Sequence, residues 1–454
     1  MKLTLNDISQ IPNADILNAD KFTGISSVFI DSRKVKKGAM FVAIVGEKFD
    51  GHDFINTAIK NGVSAVVVEK SRRIKYSSLN ITVVSVDDTT LAYGDIAKIW
   101  RRKNKTKIIS ITGSNGKTST KEILTTILEQ KYSVDKSVAN NNNHIGVPLT
   151  ILTAKKSADF LVAEHGTNHF GEIEYTAKIA EPDYALITNI GNSHTEFLVD
   201  KEGVFKEKNE LFNECINNGG WLFVNTDDPV LLKTKPNYSK ILTYGFKGKP
   251  DVMGKITAVN QNGNSEIEIC YKNKIINTNI PLLGKANAQN FLAACAIGLK
   301  IGLNSKQISR GAEKLQDVKG RLAIIKGKKN LVIDDTYNAS PDSYKAALEV
   351  IKSIKNFRKK IVIAGDIFEL GGNSKQEHKD LAKYFTKVIS KVLLIGKEMK
   401  VLHTELSEKG IDSEYFQKRE QLLKSLKEFD FTNSAILVKG SRGMKMEEFI
   451  HAIN

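Results

Sequence analysis

The sequence predicts an α/β protein of three domains: a small N-terminal α/β domain, a central P-loop-type domain with a mostly parallel sheet, and a C-terminal Rossmann-like domain. The chain has 454 residues, which at roughly 150 residues per domain corresponds to about three domains. Short apolar strands alternate with segments of helical periodicity, a pattern typical of parallel sheets covered by helices. From these patterns we place the domains at residues 1–84, 85–317 and 318–454.

The N-terminal domain is predicted from three short apolar runs, at residues 28–30, 40–44 and 65–68. A segment of helical character, residues 52–61, lies between the second and third runs. Strands and a helix in this order are typical of a small α/β unit.

The central domain begins with the apolar strand 108–111, which runs directly into the glycine loop 113–118. After the loop, apolar residues recur at helical spacing from Ile123 to Leu128. Strand, glycine loop and helix are the context that a phosphate-binding loop requires. Further elements are predicted as strands at 160–163, 184–187 and 221–224, an antiparallel hairpin around Asn262, Gly263 and Asn264, and a helix at 287–299.

The C-terminal domain repeats the parallel pattern, and polar residues or glycines follow its apolar strands directly. Because ligands of doubly wound sheets bind beyond the carboxyl ends of the strands, we expect this edge to face a ligand. The predicted strands are 331–333, 361–364, 392–395 and 435–438, and a helix is predicted at 374–389.

The composition excludes several classes of protein. Hydrophobic residues make up 41% of the chain, so an intrinsically disordered protein is not expected. Cys215, Cys270 and Cys295 are far apart and lack metal-ligand spacing, which is typical of core cysteines in a reducing compartment. No run approaches the roughly 18 apolar residues of a membrane span. We therefore expect a soluble, cytoplasmic protein without membrane insertion.

The net charge leaves the class of ligand open. The chain carries 67 Lys+Arg and 51 Asp+Glu, a formal charge of +16. Such an excess is typical of proteins that bind nucleic acids, anionic membranes or phosphorylated small molecules. Most lysines alternate with acidic residues, as on a solvated surface. The dense basic cluster at residues 101–107 has only Trp100 beside it, so base stacking on nucleic acid is weakly supported.

The loop from Gly113 to Thr118 carries the strongest chemical signal. Its glycines let main-chain N–H groups approach phosphate oxygens, and the dipole of the following helix adds to the attraction. Lys117 can bridge the β- and γ-phosphates, and Thr118 can hold Mg²⁺. The usual loop begins with a glycine where this chain has Ile111. The alternative, a chance glycine turn, is disfavoured by the flanking strand and helix.

Further polar groups lie close to predicted strand ends. Glu164 and His194 are candidate metal ligands for phosphoryl transfer, although Mg²⁺ prefers oxygen to a histidine nitrogen. Alternatively, Glu164 is an ordinary surface acid and His194 a polar residue whose hydrogen bonds are made within the protein. The run 140–143 is either a polar turn or a set of amides that face a phosphorylated substrate. The stretch 334–337 either caps a helix or contacts a ribose or a base.

These motifs resemble those of the Mur ligases, ATP-dependent amide-bond-forming enzymes of peptidoglycan synthesis. The resemblance covers nearly the whole chain, and two of the stretches, 334–343 and 365–371, resemble the last ligase of that pathway. The other motifs that carry the resemblance are 31–33, 46–54, 112–118, 142–150, 187–191 and 439–443.

The resemblance implies roles for individual residues. Lys117, His194 and Lys208 match catalytic positions, and Lys208 matches the family lysine that CO₂ carbamylates. Without the resemblance Lys208 reads as a solvated helix lysine. Residues that match ATP contacts are Gly113, Ser114, Asn115, Gly116, Lys117, Thr118, Ser119, Asn287, Asn290, Arg321, Asp335, Tyr337 and Asn338. Residues that match substrate contacts are Ser32, Arg33, Phe49, Asp50, Gly51, His52, Asn142 and Asn143. Two Mg²⁺ ions are implied, with the ligands Thr118, Glu164, His194 and carbamylated Lys208.

The implied reaction joins D-alanyl-D-alanine to UDP-N-acetylmuramoyl-tripeptide through an acyl phosphate and gives the UDP-MurNAc-pentapeptide. The implied protein is a monomer that closes around ATP and has no nucleic-acid partner. One alternative is another Mur ligase step or a folylpolyglutamate synthase-like ligase, although the latter group usually has glycine where this chain has Thr118. A more remote alternative is a nucleic-acid-stimulated P-loop ATPase, which the charge favours and the missing first glycine opposes.

Overall fold

The computed structural model describes residues 1–235, 237–327 and 329–453. Within these ranges the chain forms three β-sheets, of five, nine and six strands, and each sheet is flanked by helices. The predicted α/β architecture of three domains is therefore confirmed. None of the helices in these ranges combines the length and the apolar composition that crossing a membrane requires.

The N-terminal sheet contains β1 (Asp15–Leu17), β2 (Val28–Phe29), β3 (Met40–Val42), β4 (Ala65–Glu69) and β5 (Thr82–Val86). Its order is β1-β5-β4-β3-β2, and only β1 pairs antiparallel. β4 and β5 are rich in buried valine because both faces of the sheet are covered. The domain limit that we placed after residue 84 falls within β5. Helices are α1 (Leu5–Ile8), α2 (Ile55–Lys60), α3 (Arg73–Tyr76) and α4 (Thr89–Lys103), with 3₁₀ turns at Ala19–Lys21, Ser32–Lys34, Gly51–Phe54 and Lys70–Arg72.

The central sheet has nine strands and changes from parallel to antiparallel pairing at one end. Its strands are β6 (Lys107–Thr112), β7 (Val134–Lys136), β8 (Phe160–Glu164), β9 (Tyr184–Ile187), β10 (Trp221–Asn225), β11 (Ile241–Gly245), β12 (Val252–Val259), β13 (Asn264–Tyr271) and β14 (Lys274–Leu283). The order is β14-β13-β12-β11-β10-β9-β6-β8-β7, with antiparallel pairs only among β12, β13 and β14. The hairpin predicted around Gly263 is the turn between β12 and β13.

The register of the central sheet places three loops at one edge. Ile111 of β6 lies opposite Glu164 of β8, and Thr112 lies opposite Ile187 of β9. The segments that follow β6, β8 and β9 therefore start side by side. The helices of the domain are α5 (Lys117–Leu128), α6 (Gly146–Thr153), α7 (Glu172–Ala180), α8 (Thr195–Leu198), α9 (Lys201–Asn217), α10 (Pro229–Lys233), α11 (Gly284–Ile301) and α12 (Ser305–Glu313).

The C-terminal sheet contains β15 (Ala323–Lys326), β16 (Asn330–Asp335), β17 (Lys359–Gly365), β18 (Lys391–Ile395), β19 (Ser413–Phe416) and β20 (Ser434–Lys439). Its order is β15-β16-β20-β17-β18-β19, so the last strand of the chain lies inside the sheet. β15 is an antiparallel edge strand, and the other pairs are parallel. Helices are α13 (Pro341–Ser353), α14 (Ser374–Asp380), α15 (Met399–Glu408), α16 (Arg419–Glu428) and α17 (Glu447–Ile453), with 3₁₀ turns at Gly371–Asn373, Leu381–Tyr384 and Arg442–Met444.

The helix predicted at 374–389 is wrong in its length. α14 ends at Asp380, a 3₁₀ turn follows, and the backbone is extended at Phe385. Leu381, Phe385 and Ile389 are all buried, so their spacing of four residues imitates a helix. They reach the core from a 3₁₀ turn and an irregular segment instead.

The basic cluster at residues 101–107 connects the N-terminal and central domains. Arg101 Nη2 lies 2.7 Å from Asp183 Oδ2, and Arg102 Nη2 forms an ion pair with Glu181. Lys103 Nζ lies 2.7 Å from Asp7 Oδ2, and Lys107 Nζ lies 2.7 Å from Asp183 Oδ1. Four of the five basic residues of the cluster therefore have an acidic partner within the chain.

The C-terminal domain packs against the central domain through the β12–β13 turn and the start of α11. Lys355 N donates to Gln261 O at 3.1 Å, and Asn356 Nδ2 donates to Asn262 Oδ1 at 2.7 Å. Leu283 is buried in the apolar core of the C-terminal domain, next to Val350. The interface between the two domains is therefore apolar around Leu283 and polar at the β12–β13 turn.

Candidate active site

A cavity of about 930 Å³ lies between the central and C-terminal domains, at the carboxyl ends of their parallel strands. Its position agrees with the expectation drawn from the polar residues at the strand ends. Predicted residues that line it are Ser114, Asn115, Gly116, Lys117, Ser119, Asn142, Asn143, Glu164, His194, Asn287, Asn290, Arg321, Asp335, Tyr337 and Asn338.

The phosphate loop connects β6 to α5 and can be formed only with glycine at two positions. Gly113 has φ +147°, and a Cβ there would lie 1.9 Å from Thr188 Oγ1. Gly116 has φ +84°, and a Cβ there would lie 2.5 Å from Asn290 Oδ1. Both the left-handed backbone and the close neighbours exclude a side chain.

The segment after β9 holds the phosphate loop in place. Asn189 Oδ1 accepts from Asn115 N at 3.0 Å, and Asn189 Nδ2 donates to Asn115 O at 3.0 Å. Ser114 N donates to Asn189 O at 3.0 Å, and Thr188 Oγ1 donates to Asn115 O at 2.6 Å. Asn189 belongs to the 187–191 motif, but its role was not predicted from the sequence. It is a supporting residue of the loop, and its place directly after a strand in the same sheet was the available signal.

Lys117 is the first residue of α5 and is partly buried beside the loop. Its Nζ donates to Gly113 O at 2.6 Å. Burial lowers the pKa of Lys117 to about 8; Arg321 adds to this effect, and Glu164 opposes it. The ammonium group therefore lies in a setting where an anion would stabilise its charged form.

Glu164 ends β8 and faces the start of α5. Its Oε2 accepts from Thr118 Oγ1 at 2.9 Å, and its Oε1 accepts from Asn142 Nδ2 at 2.9 Å. Burial alone would raise the pKa of Glu164, but Lys121, Lys117 and the Asn142 hydrogen bond outweigh it, so that the pKa is lowered. The carboxylate is thus ionised beside a threonine hydroxyl, and oxygen donors of these two kinds suit Mg²⁺.

Lys208 lies in the middle of α9 with only 1% of its surface exposed. Burial lowers its pKa to about 7, and Lys117 adds to the shift. Across residues 1–235, 237–327 and 329–453, no carboxylate forms an ion pair with its Nζ. The neighbouring Glu207 instead accepts from Gly171 N at 2.7 Å and Ile173 N at 2.8 Å. Lys208 is therefore a buried amine without a counter-ion in the described chain, not the solvated helix lysine that its sequence surroundings suggested.

His194 precedes α8 on the central side of the cavity. Its Nδ1 lies 2.5 Å from Oε2 of Glu369, a residue of the C-terminal domain. In the part of the chain that the structure describes, no three His, Cys, Asp or Glu side chains are grouped as metal ligands. A metal ion held by His194 therefore needs an oxygen donor beyond the unmodified side chains.

Arg321 and Tyr337 form the C-terminal wall of the cavity. The Arg321 guanidinium carbon lies 4.2 Å from the centre of the Tyr337 ring, a cation–π distance. Tyr337 N donates to Gly320 O at 3.0 Å, which places the two residues side by side. Arg442 lies on the same ring at 5.9 Å. The wall is therefore cationic and aromatic.

Asp335 and Asn338 lie at the base of this wall. Lys439 Nζ lies 2.6 Å from Asp335 Oδ2, and Leu322 N donates to Asp335 Oδ1 at 3.2 Å. Lys439 also donates to Asn338 O at 3.1 Å. Asp335 thus supports the turn that carries Arg321. Sequence reasoning missed Lys439 as its partner, because 104 residues separate the two in the chain.

Asn287 and Asn290 lie in the first two turns of α11, close to the phosphate loop. Asn287 Nδ2 donates to Leu283 O at 3.0 Å, and Asn290 Nδ2 donates to Asn287 Oδ1 at 3.4 Å. Their side chains are ordered by the helix start and line the cavity.

The residues predicted from the N-terminal domain lie apart from this cavity. Asp50 Oδ1 lies 2.7 Å from His52 Nδ1, and His52 Nε2 accepts from Glu69 N at 3.1 Å. Arg33 is exposed and pairs with Asp31. The remaining residues of the set are Ser32, which is buried, Phe49, which is exposed, and Gly51, which packs closely on the backbone of Ala43 and Ile44. The structure does not bring this set together with the phosphate loop.

The C-terminal domain is docked on the central domain beside the loop. Ser340 Oγ, at the start of α13, donates to Asn115 Oδ1 at 3.0 Å. Gly191 approaches Asp342 so closely that a Cβ at 191 would lie 2.3 Å from Asp342 Oδ2. The cavity is therefore closed on the side of the phosphate loop.

Three family models match the chain. They are described as "Mur ligase family, catalytic domain" over residues 24–101, "Mur ligase middle domain" over residues 111–298, and "Mur ligase, glutamate ligase domain" over residues 320–442. Together they cover most of the sequence and include strands of all three sheets.

Similar proteins match over nearly the full length. The UDP-N-acetylmuramoyl-tripeptide--D-alanyl-D-alanine ligase of Bacillus subtilis (strain 168) is 34% identical over 99% of this chain and 98% of its own length. The Escherichia coli (strain K12) protein of the same name is 32% identical over 100% and 98%. Among solved structures, MurF from Acinetobacter baumannii has a TM-score of 0.87 at 30% identity, over 100% of this chain and 99% of its own. The MurF ligase from Thermotoga maritima, in complex with ADP, has a TM-score of 0.82 at 28% identity, over 94% and 96%.

Proposed function

This chain belongs to the Mur ligase family, and we propose that it is the ATP-dependent ligase that joins D-alanyl-D-alanine to UDP-N-acetylmuramoyl-tripeptide. The resemblance identified in the sequence is thus confirmed at the level of the family. One observation carries the proposal for the site: a single cavity brings the phosphate loop of the central domain opposite the cationic and aromatic wall of the C-terminal domain. The product is the UDP-MurNAc-pentapeptide precursor of peptidoglycan.

The chemistry has two steps. A carboxylate is a poor acyl donor, so an oxygen of the terminal carboxylate of the tripeptide first attacks the γ-phosphorus of ATP. The bond between the β,γ-bridging oxygen and the γ-phosphorus breaks, and ADP leaves. The free amine of D-alanyl-D-alanine then attacks the carbonyl carbon of the acyl phosphate. The tetrahedral intermediate expels phosphate, the nitrogen loses its proton, and an amide results.

The chain's own groups support both steps by position and charge. The main-chain N–H groups at the start of α5 would face phosphate oxygens, whereas Ser114 N and Asn115 N are already bonded to Asn189. The Lys117 ammonium and the Arg321 guanidinium lie on opposite walls of the same cavity, where they would stabilise the negative charge on the transferred group. The stacked pair of Arg321 and Tyr337 is placed to contact the nucleotide, and Asn287 and Asn290 approach it from below the loop.

We assign Mg²⁺ binding to two sets of residues. Thr118 and Glu164 fit one ion, because a hydroxyl and an ionised carboxylate meet at 2.9 Å. We further assign His194 and a carbamylated Lys208 to a second ion, since carbamylation by CO₂ turns the amine into an oxygen donor. The lowered pKa of Lys208, about 7, favours the neutral amine that reacts with CO₂. Bound Mg²⁺ would neutralise charge during phosphoryl transfer.

We assign the uridine end of the substrate to the N-terminal domain, at Ser32, Arg33 and the 49–52 segment. These residues lie outside the cavity, so an extended substrate would reach from them to the phosphate loop, with Asn142 and Asn143 along its path. The substrates are cytoplasmic metabolites, which supports a cytoplasmic location, and the three cysteines are free. We further propose that the protein acts as a monomer.

Phosphate release from ATP tests the function. The assay compares UDP-tripeptide plus D-alanyl-D-alanine with each substrate alone and with DNA. We expect release to depend on both substrates together and DNA to have no effect. Stimulation by DNA alone would contradict the proposal, and so would stimulation by a single amino acid in place of the dipeptide.

A further inference from the structure

One carboxylate of the cavity between the central and C-terminal domains has no partner within the described chain. Seven acidic residues line the cavity, and six of them contact donors or basic groups of the chain: Glu164, Glu172, Asp227, Asp228, Asp335 and Glu369. The seventh, Asp342, is exposed and has neither a hydrogen-bond donor nor an ion pair among the described residues. Its charge is therefore available to a ligand.

The other six acids are occupied in holding the walls of the cavity. Glu172, Asp227 and Asp228 each accept a main-chain N–H, at 2.6, 2.8 and 2.7 Å. The remaining three contact side chains within the site, at 2.5 to 2.9 Å. A ligand that bound any of these six would compete with a partner already in place, whereas a ligand of Asp342 would not.

Asp342 lies in the first turn of α13, whose start is fixed on the central domain. Ser340 Oγ donates to Asn115 Oδ1 at 3.0 Å and accepts from Ser343 N at 3.2 Å. An acid in the first turn also stabilises a helix through its dipole, but that effect does not depend on which group the carboxylate faces. The direction of the Asp342 side chain is therefore a separate feature.

The Asp342 carboxylate occupies the space that a side chain at position 191 would take. A Cβ on Gly191 would lie 2.3 Å from Asp342 Oδ2 and 3.6 Å from Ser114 Cβ. The backbone of Gly191 is not left-handed, so glycine is required there by space alone. Gly191 N donates to Ser114 Oγ at 2.9 Å, which joins this turn to the phosphate loop. The carboxylate thus lies against the loop assigned to the phosphates of ATP.

A negative charge beside bound phosphates is unfavourable unless a cation lies between them. The reaction brings such a cation, because the α-amino group of D-alanyl-D-alanine is largely protonated at neutral pH. We propose that Asp342 binds the ammonium group of the acceptor dipeptide and holds it beside the acyl phosphate. The contact is a charge-assisted hydrogen bond from N–H to a carboxylate oxygen, and it precedes the loss of the proton that frees the nitrogen lone pair. This inference rests on the proposed function.

Positional isotope exchange in ¹⁸O-labelled ATP separates the two steps, because it reports acyl phosphate formation with UDP-tripeptide and without the dipeptide. Asp342→Asn is expected to exchange at the parent rate. In phosphate release at about pH 7, its KM for the dipeptide is expected to rise about tenfold or more, with the KM for ATP unchanged. Glu349→Gln is the matched control, because Glu349 is exposed on the same helix outside the cavity lining. It should resemble the parent in both assays.

Propionyl-D-alanine, which is the dipeptide without its amino group, tests recognition of the charge. Calorimetry with ADP and UDP-tripeptide present compares its affinity with that of the dipeptide. The parent chain is expected to bind the dipeptide about tenfold or more tightly than propionyl-D-alanine, and Asp342→Asn to bind the two within about twofold. Loosening of the helix start would weaken both ligands together, so a ratio preserved in Asp342→Asn would overturn the proposal.

Two further results separate this inference from the proposed function. Phosphate release by the parent chain that does not depend on the dipeptide would contradict the proposed function itself. If the parent depends on the dipeptide, an unchanged KM in Asp342→Asn overturns the inference alone. Loss of isotope exchange in Asp342→Asn would also overturn it, because the carboxylate would then serve phosphoryl transfer.

Discussion

Lys117 is partly buried at the start of α5, next to the loop to which its Nζ donates. Its charge is therefore available to phosphate and to little else. We expect Lys117→Ala to abolish ATP turnover and to leave the fold intact, because its Nζ contacts only carbonyl groups of the loop. Phosphate release and the melting temperature together check this expectation. Retained turnover would contradict the assignment of the loop.

Lys208 is more completely buried than Lys117 and has a different expected role. We expect Lys208→Ala to lose activity by at least about a hundredfold, in line with the loss of a metal ligand. Lys206→Ala is the matched control, since Lys206 lies exposed on the same helix, and it should retain full activity. A carbamate signal in ¹³C nuclear magnetic resonance with labelled bicarbonate is expected for the parent chain. A fully active Lys208→Ala variant would exclude the carbamate.

His165 is buried between Ser110 and Thr176, whose hydroxyl oxygens each lie 2.9 Å from a ring nitrogen. Burial lowers the pKa of His165 from 6.5 to about 4, and Glu164 opposes this only in part. The unfolded chain therefore takes up a proton at a higher pH than the folded chain does. Stability from the neutral ring is complete above pH 6.5 and falls by up to about 3 kcal/mol as the pH drops towards 4.

Urea unfolding at about pH 7.5 and about pH 5 measures this effect. The parent chain should lose more unfolding free energy between the two conditions than His165→Gln does. The comparison between variants removes the contribution of the other titrating groups. Equal losses would show that His165 is protonated in the folded state.

At the scale of elements, the contact between the phosphate loop and β9 depends on the absence of a Cβ. Gly113→Ala introduces a clash with Thr188 and a disfavoured φ, so we expect nucleotide binding to be lost and stability to fall by about 3 kcal/mol. Gly171→Ala is the control, because Gly171 has φ +88° but open space around it. It should cost about 1 kcal/mol and preserve binding. Calorimetry with ADP and denaturant unfolding check both variants.

The elements of the core could be predicted from the sequence because they depend on local pattern. Turn residues and periodicity within a few positions predict the strand and helix around Gly113 to Thr118. The same kind of local signal predicts the hairpin at Gly263. Asn189, Lys439 and Glu369 were not predicted as partners of Asn115, Asp335 and His194. Each pair is formed by side chains far apart in the chain, and nothing in a local pattern specifies which polar residues meet. The helix predicted after Asp380 is wrong for a different reason. Buried residues recur there every four positions, as they would in a helix, although the chain follows a 3₁₀ turn and an irregular segment.

At the scale of the whole molecule, Arg101 joins the N-terminal domain to the central one. It donates to Ala180 O, Thr106 O and Asp183 at 2.7 to 3.1 Å. We expect Arg101→Ala to lower the unfolding free energy by about 2 kcal/mol, because Asp183 keeps part of its pairing through Lys107. Lys105→Ala, in the same basic cluster, should change it by less than about 0.5 kcal/mol. Denaturant unfolding monitored at both domains measures the difference.

The positive charge has a structural use in this part of the molecule. Four of the five cations of residues 101–107 form ion pairs with acids of the chain. The cations placed for ligand binding, Lys117 and Arg321, lie in the cavity instead. The net charge of +16 therefore gave little guidance to the function.

The position of β20 inside the C-terminal sheet matters while the chain is being made. Residues 434–439 form the last strand to leave the ribosome. In the folded sheet, however, they lie between β16 and β17. Until they emerge, the wall that carries Arg321 lacks the strand from which Lys439 supports it, whereas the first two sheets already have all their strands. A nascent chain would thus hold a finished phosphate loop facing an unfinished partner, and truncation before residue 434 would leave two half-sheets exposed to proteolysis.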